Sequence, residues 1–477
     1  MEGDGQTSDE RIDRNTWFAL TAMALGVFVI ANDFTALSVA IPEIEHDLST
    51  TLTKAQWVIN GYALVFGVLL VTGGRLADLF GRKRVFMIGA AIFAGFSLLA
   101  GLVPGAGLLI AARMAMGIGG ALMWPAILGM TYGLLPDSKA GLAGGIILGV
   151  AGLGNAVGPM LGGLLTDEFS WRWVFFLNLP ITAFAVFVTA RRVPESSEPG
   201  AQHHIDYGGV ALVSTAIVLI LVGLDEGSTE GFGDPVIVTL FVVGAALLLG
   251  FFRFERTQGD GALVPSDVLR NRVFAAACLA TLLMSAIFFS ALLYVPQFFE
   301  NVLGYSALRA GAGLLPLMGV FAATSFVAGS LYNRIGGRIV VAAGAACLGV
   351  GILVLSFVDA GSRYGAFVPG MIVLGVGVGL FYSAITTIAV TALDPSRSSL
   401  AGGIVYMCQI AGGAVGLGLN TAIVTSESSL ADGISLAFKV DALLAFVGLA
   451  VVLAFIRRPA PVEGHPRALR WRHRAHA

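Results

Sequence analysis

Hydropathy constrains this chain before any motif does. Along its 477 residues run fourteen apolar stretches, each of about 20 residues, the length a helix needs to cross a bilayer. Their cores read 17–41, 56–77, 85–104, 106–129, 141–165, 173–190, 208–225, 235–253, 273–298, 307–331, 339–358, 365–391, 399–424 and 440–457. Length alone suggests roughly two to four soluble domains. Composition overrules that: 56% of the residues are hydrophobic and 12% charged, against about 25% charged in an ordinary soluble protein. The expected fold class is an all-α polytopic membrane protein.

Net charge says little here, whereas the placement of basic residues says a good deal. With the amino terminus inside, the inner segments collect Arg75, Arg82, Lys83, Arg84, Arg191, Arg192, Arg253, Arg256, Arg270, Arg272, Arg334 and Arg338, while the outer ones hold only Lys54, Arg172, Arg309, Arg363 and Lys439. That bias places both termini in the cytoplasm, and an even count of spans agrees with it. Residues 1–16 form an acidic tail without the basic start of a signal peptide, so the first apolar run reads as a retained helix. Residues 458–477 read as a basic, solvated cytoplasmic tail.

The loop GRLADLFGRKR, Gly74 to Arg84, packs Asp78 and the cluster Arg82, Lys83 and Arg84 between the second and third spans. Gly74 allows helices to approach closely, and Gly81 suits a tight turn. An acid at a helix end followed by bases offers a charge pair that can form or break when bundles rock; the simpler reading is a positive-inside anchor. GSLYNRIGGR, Gly329 to Arg338, echoes the loop with Asn333 in place of Asp78. The chain then divides into two six-helix halves, 17–190 and 273–457, joined by a linker, 191–272, that carries two inserted helices. Duplicated halves with a site between them are a transporter architecture.

Two ionisable residues lie well inside spans. Asp33 in the first helix costs a few kcal/mol in an apolar segment, so it marks a functional site or a paired structural acid. Arg113 in the fourth lies at a similar depth, each about 10–12 Å from its helix's outer end at 1.5 Å per residue. The two could share a charge network, or the arginine could be satisfied by helix carbonyls. In the fifth helix Gly154, Gly158 and Gly162 share one face, beside Pro159 and Gly163. On physical grounds this spacing means tight packing with a kink.

These strings resemble known ones. GRLADLFGRKR resembles the signature loop of the major facilitator superfamily; NDFTALSVAIP around Asp33 and WRWVFFLNLP at 171–180 resemble its fourteen-helix drug:proton antiporter branch. Gln56-Trp57-Val58 with Tyr62, Ile205-Asp206-Tyr207-Gly208, and Tyr294 through Gln297 followed by Leu303 to Ser306 agree with that branch. The resemblance implies the major facilitator fold, with a proton gradient as energy source and no cofactor. It implies that Asp33 takes protons and recognises cations, with Arg113 tuning it; Met116 stands where the family commonly has glutamine. It also implies that Gly74, Asp78, Gly81, Arg82, Lys83 and Arg84 latch the inner gate. Gly154, Gly158, Pro159, Gly162 and Gly163 form the motif of exporting members.

The function expected is export of hydrophobic, often cationic, compounds across a bacterial cytoplasmic membrane in exchange for protons. Phe34, Phe66, Phe288, Phe289, Phe381 and Tyr382 are candidates for stacking on such ligands, with Asn60, Asn155, Gln297 and Gln409 as polar partners. Asn420 is a further intramembrane polar residue. The carboxy-terminal half offers no central acid, Asp441 reading as close to the outer end of helix fourteen. The expected partners are a lipophilic cation, protons and membrane lipids, with a monomer and no nucleic acid. Alternatives are a narrow exporter of one endogenous metabolite such as an antibiotic, or an amino-acid or peptide carrier.

A multispan enzyme is disfavoured. There is no HExxH pair, and His46, His203, His204, His465, His473 and His476 lie in loops or the tail. A nucleotide-driven pump is disfavoured too, since no GxxxxGK[ST] loop occurs. Cys278, Cys347 and Cys408 lie in apolar runs without metal or disulfide spacing.

Overall fold

A computed structural model describes residues 12–196, 206–231, 233–258 and 262–456. The basic tail at 458–477, most of the amino-terminal tail, and His203 and His204 lie outside the described residues. Among the described residues fourteen helices are long and apolar enough to cross a membrane, matching the count from hydropathy. They are α1 (Arg14–Ala36), α2 (Leu52–Phe80), α3 (Arg82–Leu102), α4 (Ala106–Leu134), α5 (Ala140–Glu168), α6 (Arg172–Arg192), α7 (Tyr207–Glu230), α8 (Pro235–Gln258), α9 (Arg272–Asn301), α10 (Leu315–Ile335), α11 (Gly337–Leu355), α12 (Tyr364–Thr391), α13 (Ser398–Ser426) and α14 (Leu430–Phe455). Every regular element among the described residues is helical, as a chain that must satisfy its own backbone in hydrocarbon requires.

The helix ends carry ordinary local signals. Asp13 accepts from Thr16 N at 2.7 Å to start α1, and Asn271 accepts from Val273 N and Phe274 N to start α9. Gly81 and Gly336 take φ of +106° and +90° between α2 and α3 and between α10 and α11, backbone that a β-carbon would strain. Three boundaries differ most from the hydropathy reading. The tenth span, expected from 307, starts at Leu315 after a separate short helix, Ala307–Ala312. The first span ends at Ala36 and gives way to a short helix, Ile41–Asp47, with Pro42 in its first turn. The last begins at 430 rather than 440, because Asp432 and Lys439 break the apolar run without breaking the helix.

Packing repeats between the halves. In the amino-terminal half α1 lies on α5 and α6, and α4 on α2 and α3; in the other, α9 lies on α13 and α14, and α12 on α10 and α11. The halves meet along two equivalent seams, α2 on α13 and α10 on α5. The inserted pair stands outside this symmetry: α8 packs on α7, and α7 on α13 and α2.

Candidate functional site

Three features occupy the interior: a buried charge pair, a latch at the end of the bundle that carries the basic loops, and a cavity between the halves opening away from that end. Asp33 and Arg113 have no exposed surface. Arg113 Nη1 donates to Asp33 Oδ2, and Nε to Val58 O on α2 at 2.8 Å. The guanidinium lies 4.3 Å above the Tyr62 ring, a cation–π contact between fully buried groups. The other carboxylate oxygen accepts from Asn178 Nδ2 on α6 at 3.0 Å, and Asn178 also reaches Ser97 Oγ on α3 at 3.2 Å. Met116 Sδ stands 3.9 Å from Arg113 Nη1, so a thioether occupies the side where an amide would bond more strongly. Arg113 Nη2 keeps no hydrogen-bond partner. The equal depth expected of Asp33 and Arg113 is realised as direct contact.

At the basic end, Asp78 is buried and accepts from Ser399 N at 3.2 Å and Leu400 N at 2.8 Å, the first turn of α13. The first-turn amides, which lack partners within the helix, and the helix dipole favour an anion there. Arg82 Nε donates to Asp78 Oδ1 at 3.0 Å, Nη1 to Gly129 O at 3.2 Å, and Nη2 to Pro395 O at 2.6 Å. One side chain thus ties α3 to α4 and to the segment before α13. Gly74 faces the same seam; a Cβ there would fall 2.6 Å from Ser399 O. Lys83 N and Arg84 N both donate to Glu195 at 3.0 Å, and Lys83 Nζ donates to Ala190 O at 2.7 Å. The two backbone amides and the Lys83 ammonium therefore hold the end of α6 and the segment after it, while Asp78 and Arg82 hold the seam.

The glycine face of α5 packs on α1. A Cβ on Gly154 would meet Ala31 Cβ and Phe28 O at 3.0 Å; one on Gly158 would meet Ala36 N at 3.1 Å; one on Gly162 would meet Ala36 C at 2.8 Å. Gly163, half-buried, is the next residue round the helix. Pro159 lacks the amide that would bond Asn155 O, and Thr35 Oγ1 supplies a donor instead at 3.3 Å.

The cavity holds about 370 Å³. Phe34, Asn60, Asn155, Phe288, Phe289 and Gln409 line it as expected, together with Trp57 and Tyr406. Four expected residues do not. Phe66 and Phe381 are fully buried: Phe66 stacks on Tyr62 and meets Tyr406 edge-to-face, and Phe381 packs against Gly344 of α11. Tyr382 sits behind Phe288, its hydroxyl 2.8 Å from Ser285 Oγ. Gln297 lies near the far end of α9, its carbonyl bonded by Asn301. Aromatic content marks interior positions in spans but not which side of a helix faces the ligand.

Asp33 itself is absent from the cavity wall. Its neighbours Phe34 and Thr35 face the cavity, and Phe34 packs edge-on to Tyr62 at 5.1 Å, closing the charge pair off. Asp441 is also placed differently from the expectation. With α14 starting at Leu430, it lies about 16 Å into the helix. It is buried, and both its oxygens accept from Asn420 Nδ2, at 3.0 and 3.1 Å. Asn178 and Ser97 were not singled out in the sequence, although an asparagine inside an apolar run was there to be read. Tyr406, stacked 4.2 Å from Trp124, carries the same kind of signal.

Comparison with known proteins places these features in context. A family model described as Major Facilitator Superfamily matches residues 23–324 and 317–474. The puromycin resistance protein pur8 of Streptomyces alboniger is 33% identical over 93% of this chain and 89% of its own length. The tetracenomycin C resistance and export protein of Streptomyces glaucescens is 31% identical over 84% and 74%. The cephamycin export protein CmcT of Amycolatopsis lactamdurans is 30% identical over 93% and 92%. In fold, the chain is similar to the human organic anion transporter MFSD10 (TETRAN), with a TM-score of 0.65 at 13% identity, over 92% of this chain and 99% of that one.

Proposed function

This chain belongs to the major facilitator superfamily and is a membrane transporter, and on that premise we propose that it exports hydrophobic, often cationic, compounds in exchange for protons by alternating access. The observation that carries the reading is the sealed Asp33–Arg113 pair and its attachment to α2. That helix presents Trp57 and Asn60 to the cavity, takes Arg113 through Val58 O, and bears Asp78 at the latch. A proton on Asp33 removes the charge that holds Arg113, and α2 is the element through which both cavity and latch would feel the change. Charge pairs buried this way are costly to break on one side only.

Among the described residues the cavity wall supplies aromatic faces and amides but no carboxylate. Such a wall suits flat apolar compounds and diffuse cations held by ring faces rather than by an ion pair. With the basic end closed, this state presents its cavity to the opposite side, where an exporter releases its load. Bacterial relatives and the basic-loop bias support a cytoplasmic membrane with both termini inside.

A narrower reading is favoured by the relatives' names: several are exporters or resistance proteins for single antibiotics. Dye efflux from energised cells, with and without a protonophore and with Asp33→Asn, separates these. Efflux lost under both changes is expected. Efflux that survives Asp33→Asn but not the protonophore moves the proton site elsewhere. Retention of every common dye, with export of one antibiotic, selects the narrow reading.

A further inference from the structure

A second cavity, of about 410 Å³, lies between the inserted pair and the α2–α13 seam. Its wall comes from α7 and α8 on one side and α2, α9 and α13 on the other, with Val264 and Val268 of the linker at its basic end. Among the described residues its wall carries no charged or amide side chain; apart from the thiols of Cys278 and Cys408 and the thioether of Met407 those side chains are hydrocarbon. Phe252 lines it and is 41% exposed, so the cavity is open to the outside at this residue of α8.

Two residues, Leu221 of α7 and Ile410 of α13, belong to the walls of both cavities. They are the partition between them. α2 passes close behind it at Gly67, where a Cβ would come 3.3 Å from Ile410 and 3.9 Å from Leu221. The second cavity reaches along α13 from Ile404 to Ala411, the half nearer the basic end; the central one runs from Tyr406 to Leu417. The two are therefore offset along the membrane normal. In this state the direct route from the basic end is shut by Asp78 and Arg82.

We propose that the second cavity is a lateral vestibule for the lipophilic part of the substrate, which passes the Leu221–Ile410 partition from the basic-side leaflet into the central cavity. This rests on the export reading above and gives the inserted helices a role that a twelve-helix body lacks. A wall of hydrocarbon admits apolar surface and rejects hydrated solutes, because an uncompensated polar group there would lose its hydrogen bonds to water.

The cysteines provide the test. In a Cys347→Ala background Cys278 and Cys408 are the remaining thiols. In native-lipid nanodiscs, lipophilic N-pyrenylmaleimide is expected to label them, read by intact mass, and a charged methanethiosulfonate is not. Saturating tetraphenylphosphonium should slow labelling several-fold. Ile217→Trp, which fills the second cavity without touching the central wall, should cut tetraphenylphosphonium efflux several-fold while Phe289-dependent binding persists. Tetraphenylphosphonium that binds in a Phe289-dependent way yet leaves labelling unprotected overturns the vestibule and spares the export reading. A co-purifying phospholipid that is lost in Ile217→Trp, without protection by tetraphenylphosphonium, overturns it in favour of a lipid site. No binding of tetraphenylphosphonium at all overturns the vestibule together with the broad, cationic export reading, and leaves the single-antibiotic one.

Discussion

Asn333 stands to the start of α5 as Asp78 stands to the start of α13: its Oδ1 accepts from Gly141 N at 3.3 Å, where Asp78 accepts from Ser399 N at 3.2 Å. The two seams are the same construction with different charge. Gly329 mirrors Gly74, a Cβ on it falling 2.5 Å from Gly141 O. Gly337 occupies the place of Arg82, so the second seam has a cap but no arginine clamp. Rocking then has a strong fastening on one side and a weak one on the other.

Asp78→Ala is expected to open the basic end far more than Asn333→Ala. Removing one partner of a buried charge pair costs about 3–5 kcal/mol, and losing a neutral hydrogen bond about 1–3 kcal/mol. Spin labels on Arg84 of α3 and Ser396 just before α13, on either side of the Asp78 latch, read the separation. An unchanged distance distribution in Asp78→Ala would remove the latch from the mechanism.

The Asp33–Arg113 pair should show strong coupling. Asp33→Asn strands a buried guanidinium, and Arg113→Gln strands a buried carboxylate; each alone should cost about 3–5 kcal/mol of stability. The double variant should recover much of that loss while still failing to couple transport to protons. Melting temperatures of the four proteins close the cycle, and substrate-driven proton release from proteoliposomes reads the coupling. Additive melting losses would mean that the two residues do not depend on each other.

Much of this was readable in the chain because the bilayer imposes a single requirement on every span. Fourteen apolar runs, the repeated loop and the two intramembrane charges all carry through to the structure. Faces were harder to read. α12 is apolar nearly all round, so its sequence does not say that Phe381 turns to α11 and Tyr382 to Ser285. Hydropathy puts Asp441 too near the helix end because Asp432 and Lys439 lower it locally, although Ser429 caps the helix and Asp432 suits its first turn. The pairing of Asn178 with Asp33 spans 145 residues of sequence, and no local pattern encodes it.

Cavity and core aromatics should separate by measurement. Phe289→Ala removes one ring from the central wall and is expected to weaken substrate binding by about 0.5–1.5 kcal/mol, or about 2–12-fold, with little change in melting temperature. Phe381→Ala leaves a void against α11 and should instead cost about 3–5 kcal/mol of stability with affinity preserved. Equilibrium binding of tetraphenylphosphonium and thermal melting, taken on both variants, distinguish the two. Matching profiles would mean that the cavity assignment is wrong.

At the end opposite the latch, Asp47 joins the short helix after α1 to the start of α6. Its Oδ2 accepts from Arg172 Nη1 at 2.5 Å and from Trp171 Nε1 at 3.1 Å. The Arg172 hydrogen bond first, then the indole, hold this carboxyl below the usual aspartate range, against a smaller opposing effect of burial. A carboxyl whose pKa is lower folded than unfolded stabilises the fold above its unfolded pKa and loses that contribution as pH falls through the folded one. The Asp47 side chain is 40% exposed, so solvent screening limits the pair to about 0.5 kcal/mol. Asp47→Asn should therefore melt slightly below the native protein at neutral pH, and the gap should close as pH falls below about 4, the ordinary aspartate value. Melting curves across that range decide it: a gap that persists in acid would mean that the asparagine loses packing rather than charge.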